Sequence, residues 1–77
     1  MPTRERIIMI VANQMAKHPQ AIKDTDHLIE DLGADDFDLG VILDQIEDEF
    51  RTRLSDDEWA ECGTIADTVE VVDRIRR

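Results

Sequence analysis

Apolar residues recur mostly at spacings of three and four in three stretches of the sequence, and this helical periodicity constrains the fold more than any other feature. The first stretch lies between about residues 4 and 16, and Pro19 ends it. The second follows Asp35 or Asp36, and the third follows Thr64. Their apolar members are Ile7, Ile10, Val11 and Met15, then Phe37, Ile42, Leu43, Ile46 and Phe50, then Ile65, Val69, Val72 and Ile75. We therefore predict three longer helices, each with one buried face.

Polar residues at the predicted helix starts are of the types that cap helices. Asp35 is the expected N-cap of the second long helix, and Asp38 adds a carboxylate at its third position. The run Ser55-Asp56-Asp57-Glu58 is typical of a capping box that opens a short helix containing Trp59. The run Thr64-Ile65-Ala66-Asp67 has the same form with Asp in place of Glu. These caps place one short helix between the second and third long ones.

The segment between the first two long helices lacks helical periodicity. Its aliphatic residues are Ile22, Leu28, Ile29 and Leu32, scattered among acids and Gly33. We predict a long ordered loop whose aliphatic side chains reach back into the core, and ordered loops of this length are usually functional.

Length and composition favour one all-α domain. A chain of 77 residues is too short to form two separate cores, so we expect a single domain over 1–77. With no Tyr, one Trp and two Phe, aliphatic helix packing is favoured over a sheet. The expected fold is an all-α four-helix bundle with three longer helices and one short third helix. Cys62 is alone, and no apolar run approaches the ~20 residues of a membrane span. The start of the chain is an amphipathic stretch containing Asn13 and Gln14 instead of an uninterrupted signal-peptide core, so we expect a cytoplasmic location. We also expect a monomer.

Negative charge is concentrated in one segment. Residues 24–50 contain eleven of the nineteen Asp and Glu residues and no Lys or Arg, and the net charge of the chain is -10. This segment repels a phosphate backbone, which excludes nucleic acid as the expected partner and favours a basic protein surface. A solvated helix face that only aids solubility accounts for the charge equally well at this point.

The run Asp31-Leu32-Gly33-Ala34-Asp35-Asp36-Phe37-Asp38-Leu39, followed by an acidic run ending at Phe50, resembles the signature segment of acyl carrier proteins. In that family the segment reads leucine, glycine, alanine, aspartate, serine, leucine or phenylalanine, and aspartate. The predicted helix order agrees with the family over essentially the whole chain. The resemblance implies a carrier for fatty acid, polyketide or specialised lipid biosynthesis. It also implies phosphopantetheinyl transferase and acyl-chain synthases or acyltransferases as partners through the acidic second helix.

The sequence departs from the family at the serine that carries 4'-phosphopantetheine, because Asp36 stands in that position. A carboxylate has no hydroxyl to become the bridging oxygen of a phosphodiester, and an acyl phosphate is labile, so we expect the cofactor to be absent. Ser55 is expected to be occupied as a cap and Cys62 to pack in the core, so neither replaces the serine. Two origins fit the sequence equally well: an engineered Ser-to-Asp replacement, or a natural protein that has lost its 4'-phosphopantetheine arm. The alternative function is a non-carrier adaptor or regulatory protein that uses the same fold.

The resemblance also places partner docking on the second helix. The matching positions are Asp35, Asp38, Leu39, Val41, Glu47 and Asp48. Leu39 and Val41 are expected to lie off the buried face, which favours a contact surface, although Val41 replaces an acidic residue that many relatives have. Gly40 costs about 0.5–1 kcal/mol relative to Ala within a helix, so it either permits a close approach or is simply tolerated.

Metal and enzyme sites are not expected. The run 24–29 begins like an EF-hand loop, but Leu28 and Ile29 stand where an acid and a glycine are needed. His18 and His27 have no Cys or His partner at metal-ligand spacing and are expected to be surface residues. Adjacent carboxylates can perform acid/base chemistry, but so small a chain offers no evident pocket that excludes water, so the protein is not expected to be an enzyme.

Overall fold

The computed structural model describes residues 1–76, and Arg77 lies outside them. The described residues contain four α-helices, α1 to α4, and a short 3₁₀ helix, and they contain no strand. The bounds are α1 Thr3–Met15, 3₁₀ helix Pro19–Ala21, α2 Asp36–Phe50, α3 Asp56–Ala60 and α4 Ile65–Ile75. The prediction of three longer helices and one short third helix is confirmed. None of these helices has the length and apolar character needed to cross a membrane.

The core lies between α1, α2 and α4, with α1 packed against both of the others. The largest fully buried side chains are Ile7, Val11, Leu28, Ile42, Ile46, Ile65, Thr68 and Val72. Burying each large aliphatic side chain stabilises the fold by about 1.5–3 kcal/mol relative to leaving it exposed. Most of the predicted apolar stripes are therefore confirmed, and Trp59 is half-buried against the same core.

Two apolar residues that were predicted to be buried are exposed. Phe37 is 74% exposed and Ile29 is 51% exposed. Phe37 lies five residues before Ile42, which is about 140° around an α-helix, so the helix that buries Ile42 turns Phe37 outward. Ile29 follows Leu28 in the loop, and because the Leu28 side chain is buried in the core, the side chain of Ile29 is left exposed. The prediction was wrong for both residues because it considered only that they are apolar and did not consider the direction in which each side chain points.

The long loop between α1 and α2 is held by backbone hydrogen bonds to the start of α4. The N–H of Leu28 donates to the carbonyl of Gly63 at 3.0 Å, and the N–H of Ile65 donates to the carbonyl of Asp26 at 3.0 Å. The loop residues that enter the core are Ile22, Leu28, Leu32 and Ala34. An ordered loop was predicted and is confirmed, and it fixes where α2 begins.

The far end of α2 is held against both ends of the described chain by Phe50. The Phe50 ring centroid lies 4.4 Å from the guanidinium carbon of Arg6 and 4.8 Å from that of Arg76. Arg6 also donates to the carbonyl of Glu49 at 3.1 Å and pairs with its carboxylate at 2.8 Å. Arg76 donates to the Thr3 hydroxyl oxygen at 3.0 Å. These contacts join the first turn of α1, the last turn of α2 and the residue that follows α4.

Candidate functional site

Helix α2 begins with a capping box made of two carboxylates. Asp35 Oδ1 accepts a hydrogen bond from the N–H of Asp38 at 2.8 Å, and Asp38 Oδ2 accepts one from the N–H of Asp35 at 3.1 Å. The other oxygen of Asp38 accepts from the Gln14 side-chain amide at 2.9 Å. The Gln14 amide, followed by the Asp35 N–H, lowers the pKa of Asp38 below its ordinary value. Both predicted cap residues therefore fix the helix start, and Gln14 joins that start to α1.

Asp36 is the first residue of α2, and its side chain is exposed to solvent. A carboxylate at this end of a helix is favoured by about 0.3–1 kcal/mol because it complements the positive end of the helix dipole. The rest of the first turn is Phe37, Asp38 and Leu39, so the first turn contains no hydroxyl group. The start of α2 therefore presents an accessible anion and no alcohol nucleophile.

Glu47, one of the predicted docking residues, also closes the turn that follows α2. Its Oε2 accepts from the N–H of Leu54 at 2.9 Å, and its backbone carbonyl accepts from the N–H of Arg51 and, at 3.1 Å, from the N–H of Thr52. Arg51 has a φ of 53°, in the left-handed region that ends many helices. No sequence signal reveals this role, since the side chain's partner is a backbone group seven residues away.

One face of α2 remains exposed and combines an aromatic residue with acids. The residues at helical spacing along this face, which we term the exposed α2 stripe, are Phe37, Gly40, Val41, Asp44 and Asp48. Val41 is half-buried, and the other four are exposed. Within residues 1–76, neither Asp44 nor Asp48 takes part in an ion pair. The stripe therefore offers apolar surface near the helix start and, farther along, two carboxylates that form no ion pair within these residues but share a cavity with Arg51 and Arg53.

Only two of the six predicted docking residues, Val41 and Asp48, belong to the exposed α2 stripe. Leu39 is half-buried against the core, so the expectation that it lies off the buried face is wrong. It lies seven residues, or about two turns, before the buried Ile46 and therefore shares its face. Sequence reasoning missed Asp44 as a stripe residue, although its spacing of four from Asp48 would have identified it.

Two other residues, Ser55 and Cys62, were considered for chemistry. As predicted, both have structural roles instead. The Ser55 hydroxyl oxygen accepts from the N–H of Glu58 at 3.1 Å, and Glu58 completes the capping box of α3. Cys62 is buried, and its thiol donates to the carbonyl of Glu58 at 3.5 Å. Burial raises the pKa of the Cys62 thiol to about 11, which disfavours the reactive thiolate.

The acids of the loop are placed for internal contacts. Asp24 Oδ1 accepts from Arg4 Nε at 2.6 Å, and among residues 1–76 no group of three or more His, Cys, Asp or Glu side chains is arranged to hold a metal ion. His18 is exposed as expected. His27 is half-buried instead, because its Nδ1 accepts from the N–H of Ile29 at 3.1 Å and the ring folds back on the loop. His27 is therefore only partly at the surface, whereas a surface residue was predicted.

A four-helix bundle in which a long ordered loop leads into an acidic, partly exposed second helix is the arrangement expected from the resemblance to acyl carrier proteins. The sequence matches the family model described as "Phosphopantetheine attachment site" over residues 5–72. It is 32% identical over 71 residues to the acyl carrier protein of Zymomonas mobilis subsp. mobilis, covering 92% of this chain and 91% of that protein. It is 32% identical over 66 residues to that of Campylobacter curvus, covering 86% of each chain, and 31% identical over 75 residues to that of Campylobacter concisus, covering 97% of each. The chain belongs to the acyl carrier protein family.

The residues at the start of α2 do not fit the attachment of 4'-phosphopantetheine. Attachment through a phosphodiester needs a hydroxyl oxygen that stays on the protein, and the first residue of α2 is Asp36. By the resemblance described above, this residue stands in place of the attachment serine. The resemblance therefore implies a carboxylate at the position where the family carries 4'-phosphopantetheine.

Proposed function

We propose that this chain is an acyl carrier protein of fatty acid, polyketide or specialised lipid biosynthesis that docks on the enzymes of its pathway but cannot take 4'-phosphopantetheine, because Asp36 stands at the attachment position. The observation that carries the proposal is the exposed carboxylate of Asp36 at the first position of α2. A transferase that reached this position would find no hydroxyl to modify. The carrier fold and its acidic helix would remain available to partners.

Electrostatic attraction supports docking of this kind. The net charge is -10, and an acidic field of this size attracts basic protein surfaces and speeds their association. Asp35, Asp38 and Glu47 contribute to the field even though each also binds a backbone N–H, and Asp48 contributes without such a contact. The proposed partners are a phosphopantetheinyl transferase and acyl-chain synthases or acyltransferases, bound by a monomeric, single-domain, non-enzymatic chain in the cytoplasm.

A non-carrier adaptor or regulatory protein is the second candidate. It is favoured by the exposed α2 stripe, in which Phe37 is 74% exposed and, within residues 1–76, Asp44 and Asp48 form no ion pair, because such a surface needs no 4'-phosphopantetheine to bind a partner. The native coding sequence separates the two functions. Serine at position 36 would identify a disabled carrier, and aspartate would identify an adaptor.

Mass spectrometry tests the central claim. The chain is incubated with coenzyme A and a phosphopantetheinyl transferase of broad specificity, and we expect no mass increase. Asp36→Ser should gain one arm, and Asp36→Ala, the matched control without a hydroxyl, should gain none. Loading of the unsubstituted chain would overturn the proposal, and failure to load Asp36→Ser would remove position 36 from the attachment site.

A further inference from the structure

His27 caps a turn of the long loop through an atom that can take up a proton. Its Nδ1 accepts a hydrogen bond from the N–H of Ile29 at 3.1 Å and another from the N–H of Glu30 at 3.4 Å. Both donors belong to residues 28–32, which we term the capped turn. Because a ring nitrogen that accepts hydrogen bonds carries no proton, this contact requires a neutral imidazole.

The other nitrogen of the imidazole faces a gap above Gly63. A Cβ atom built on Gly63 would lie 3.2 Å from His27 Nε2 and 3.3 Å from Asp67 Oδ2, so the missing side chain leaves space between the ring and the carboxylate. Within residues 1–76, no ion pair joins His27 to Asp67. The Asp67 oxygen instead accepts from the N–H of Thr64 at 3.1 Å. A carboxylate that the neutral ring does not use is therefore close to it.

The imidazole is also part of the wall of a cavity between the loop and α3. The cavity has a volume of about 320 Å³, and Ile29 and Cys62 line it beside the ring. Helices α2 and α3 contribute Leu39, Trp59 and Ala60, none of which titrates. Since the chain has a single Trp, the fluorescence of Trp59 reports on this cavity.

The titratable groups near the ring attract a charged imidazole. Asp67 faces it across Gly63, and the Asp31 carboxylate accepts from the backbone N–H of His27 at 2.7 Å. The Glu30 side chain is exposed, and Cys62 stays protonated below its pKa of about 11. Residues 24–50 contain no Lys or Arg that would repel the charged ring. The capped turn therefore requires the neutral ring, whereas the surrounding carboxylates favour the charged one.

We infer that His27 is a pH switch that opens the cavity beside Trp59 on mild acidification. The neutral ring caps the turn and closes the cavity. When Nδ1 takes up a proton from solvent, it becomes a donor that faces the N–H groups of Ile29 and Glu30. The ring then leaves the turn and moves across Gly63 to pair with Asp67, and the capped turn loosens. Histidine ordinarily changes charge between pH 5 and 8, so the switch operates in this range.

Quenching of Trp59 fluorescence by acrylamide between pH 8 and pH 5 tests the switch in the intact chain. The quenching constant should rise about twofold on acidification, because local opening exposes a side chain that was half-buried. His27→Asn should remove the rise, since the amide oxygen accepts in place of Nδ1 and does not titrate. His18→Asn is the matched control. The Nδ1 of His18 also accepts from an N–H two residues later, that of Gln20 at 3.2 Å, but His18 does not line this cavity, so the rise should remain.

NMR gives a second readout that needs no substitution, because the N–H resonances of Ile29 and Glu30 should shift with the same midpoint as the ring protons of His27. Asp67→Asn keeps an acceptor oxygen but loses the charge, so the midpoint should fall by about 0.2–0.7 pH unit, the equivalent of an exposed ion pair. Four results would each refute the switch: quenching independent of pH in the unsubstituted chain, a rise that persists in His27→Asn or vanishes in His18→Asn, or an unchanged midpoint in Asp67→Asn. Loss of the helical circular dichroism signal over the same range would also refute it, because the chain would then be unfolding as a whole.

Discussion

Replacing Glu47 should destabilise the fold far more than replacing its neighbour Asp48. Glu47→Lys removes the acceptor of the hydrogen bond from the Leu54 N–H, which measures 2.9 Å and is partly buried. A hydrogen bond to a charged group contributes about 1.5–3 kcal/mol, and the unpaired Leu54 N–H adds to the cost of losing it. We expect a loss of about 2 kcal/mol in the free energy of unfolding, or about 8–16 °C in melting temperature for a domain of this size. Asp48→Lys should change stability by no more than about 0.5 kcal/mol, as for other surface substitutions.

The comparison isolates the hydrogen bond because both substitutions change the net charge equally, from -10 to -8. Urea unfolding followed by far-ultraviolet circular dichroism and by the fluorescence of Trp59 gives the two free energies. Glu47→Gln keeps an acceptor oxygen and should lose only about 0.5–1.5 kcal/mol. Equal unfolding midpoints for Glu47→Lys and Asp48→Lys would show that the contact with Leu54 contributes nothing and that Glu47 is an ordinary surface acid.

Three further predictions concern charge, proton binding and the thiol. The melting temperature should rise with added sodium chloride near neutral pH, because salt screens the repulsion among the acids of residues 24–50, and a flat response would contradict this. The lowered pKa of Asp38 contributes stability that is present above the unfolded-state pKa and is lost as pH falls through the folded-state pKa. Gln14→Leu should raise the pKa of Asp38 toward its ordinary value and reduce this acid-dependent loss, and a carboxyl titration by NMR that shows no change would refute the role of Gln14. Cys62, with a pKa of about 11, should react with a disulfide reagent at pH 8 only as fast as the protein opens, whereas the urea-unfolded chain should react at once.

The helix starts could be predicted from the sequence because each cap acts over three residues. Asp35, Ser55 and Thr64 each accept from the N–H of the third helical residue, as their spacing indicated. The turn at Glu47 and the packing of Phe50 between two arginines could not be predicted in this way. Both depend on groups brought together by the tertiary fold, and neither contact has a local sequence pattern.

Errors in the predicted core have a common physical origin. Phe37 was placed inside and Leu39 outside by residue type and family position, whereas the direction of each side chain is set by its angle around α2. Thr68 was overlooked as a polar residue. It is fully buried because its hydroxyl donates to the carbonyl of Thr64 at 2.8 Å, which satisfies the polar group inside the helix.

The packing of Phe50 between Arg6 and Arg76 also determines where the protein can be immobilised without blocking the start of α2. Helix α2 has 15 residues and is therefore about 22 Å long, and its last turn lies beside Thr3 and Arg76 while its first turn carries Asp36. A biotin tag or other anchor placed before Thr3 therefore sits a full helix length from the start of α2. A chain immobilised in this way presents that start toward the solution, where an enzyme in the flow can reach it.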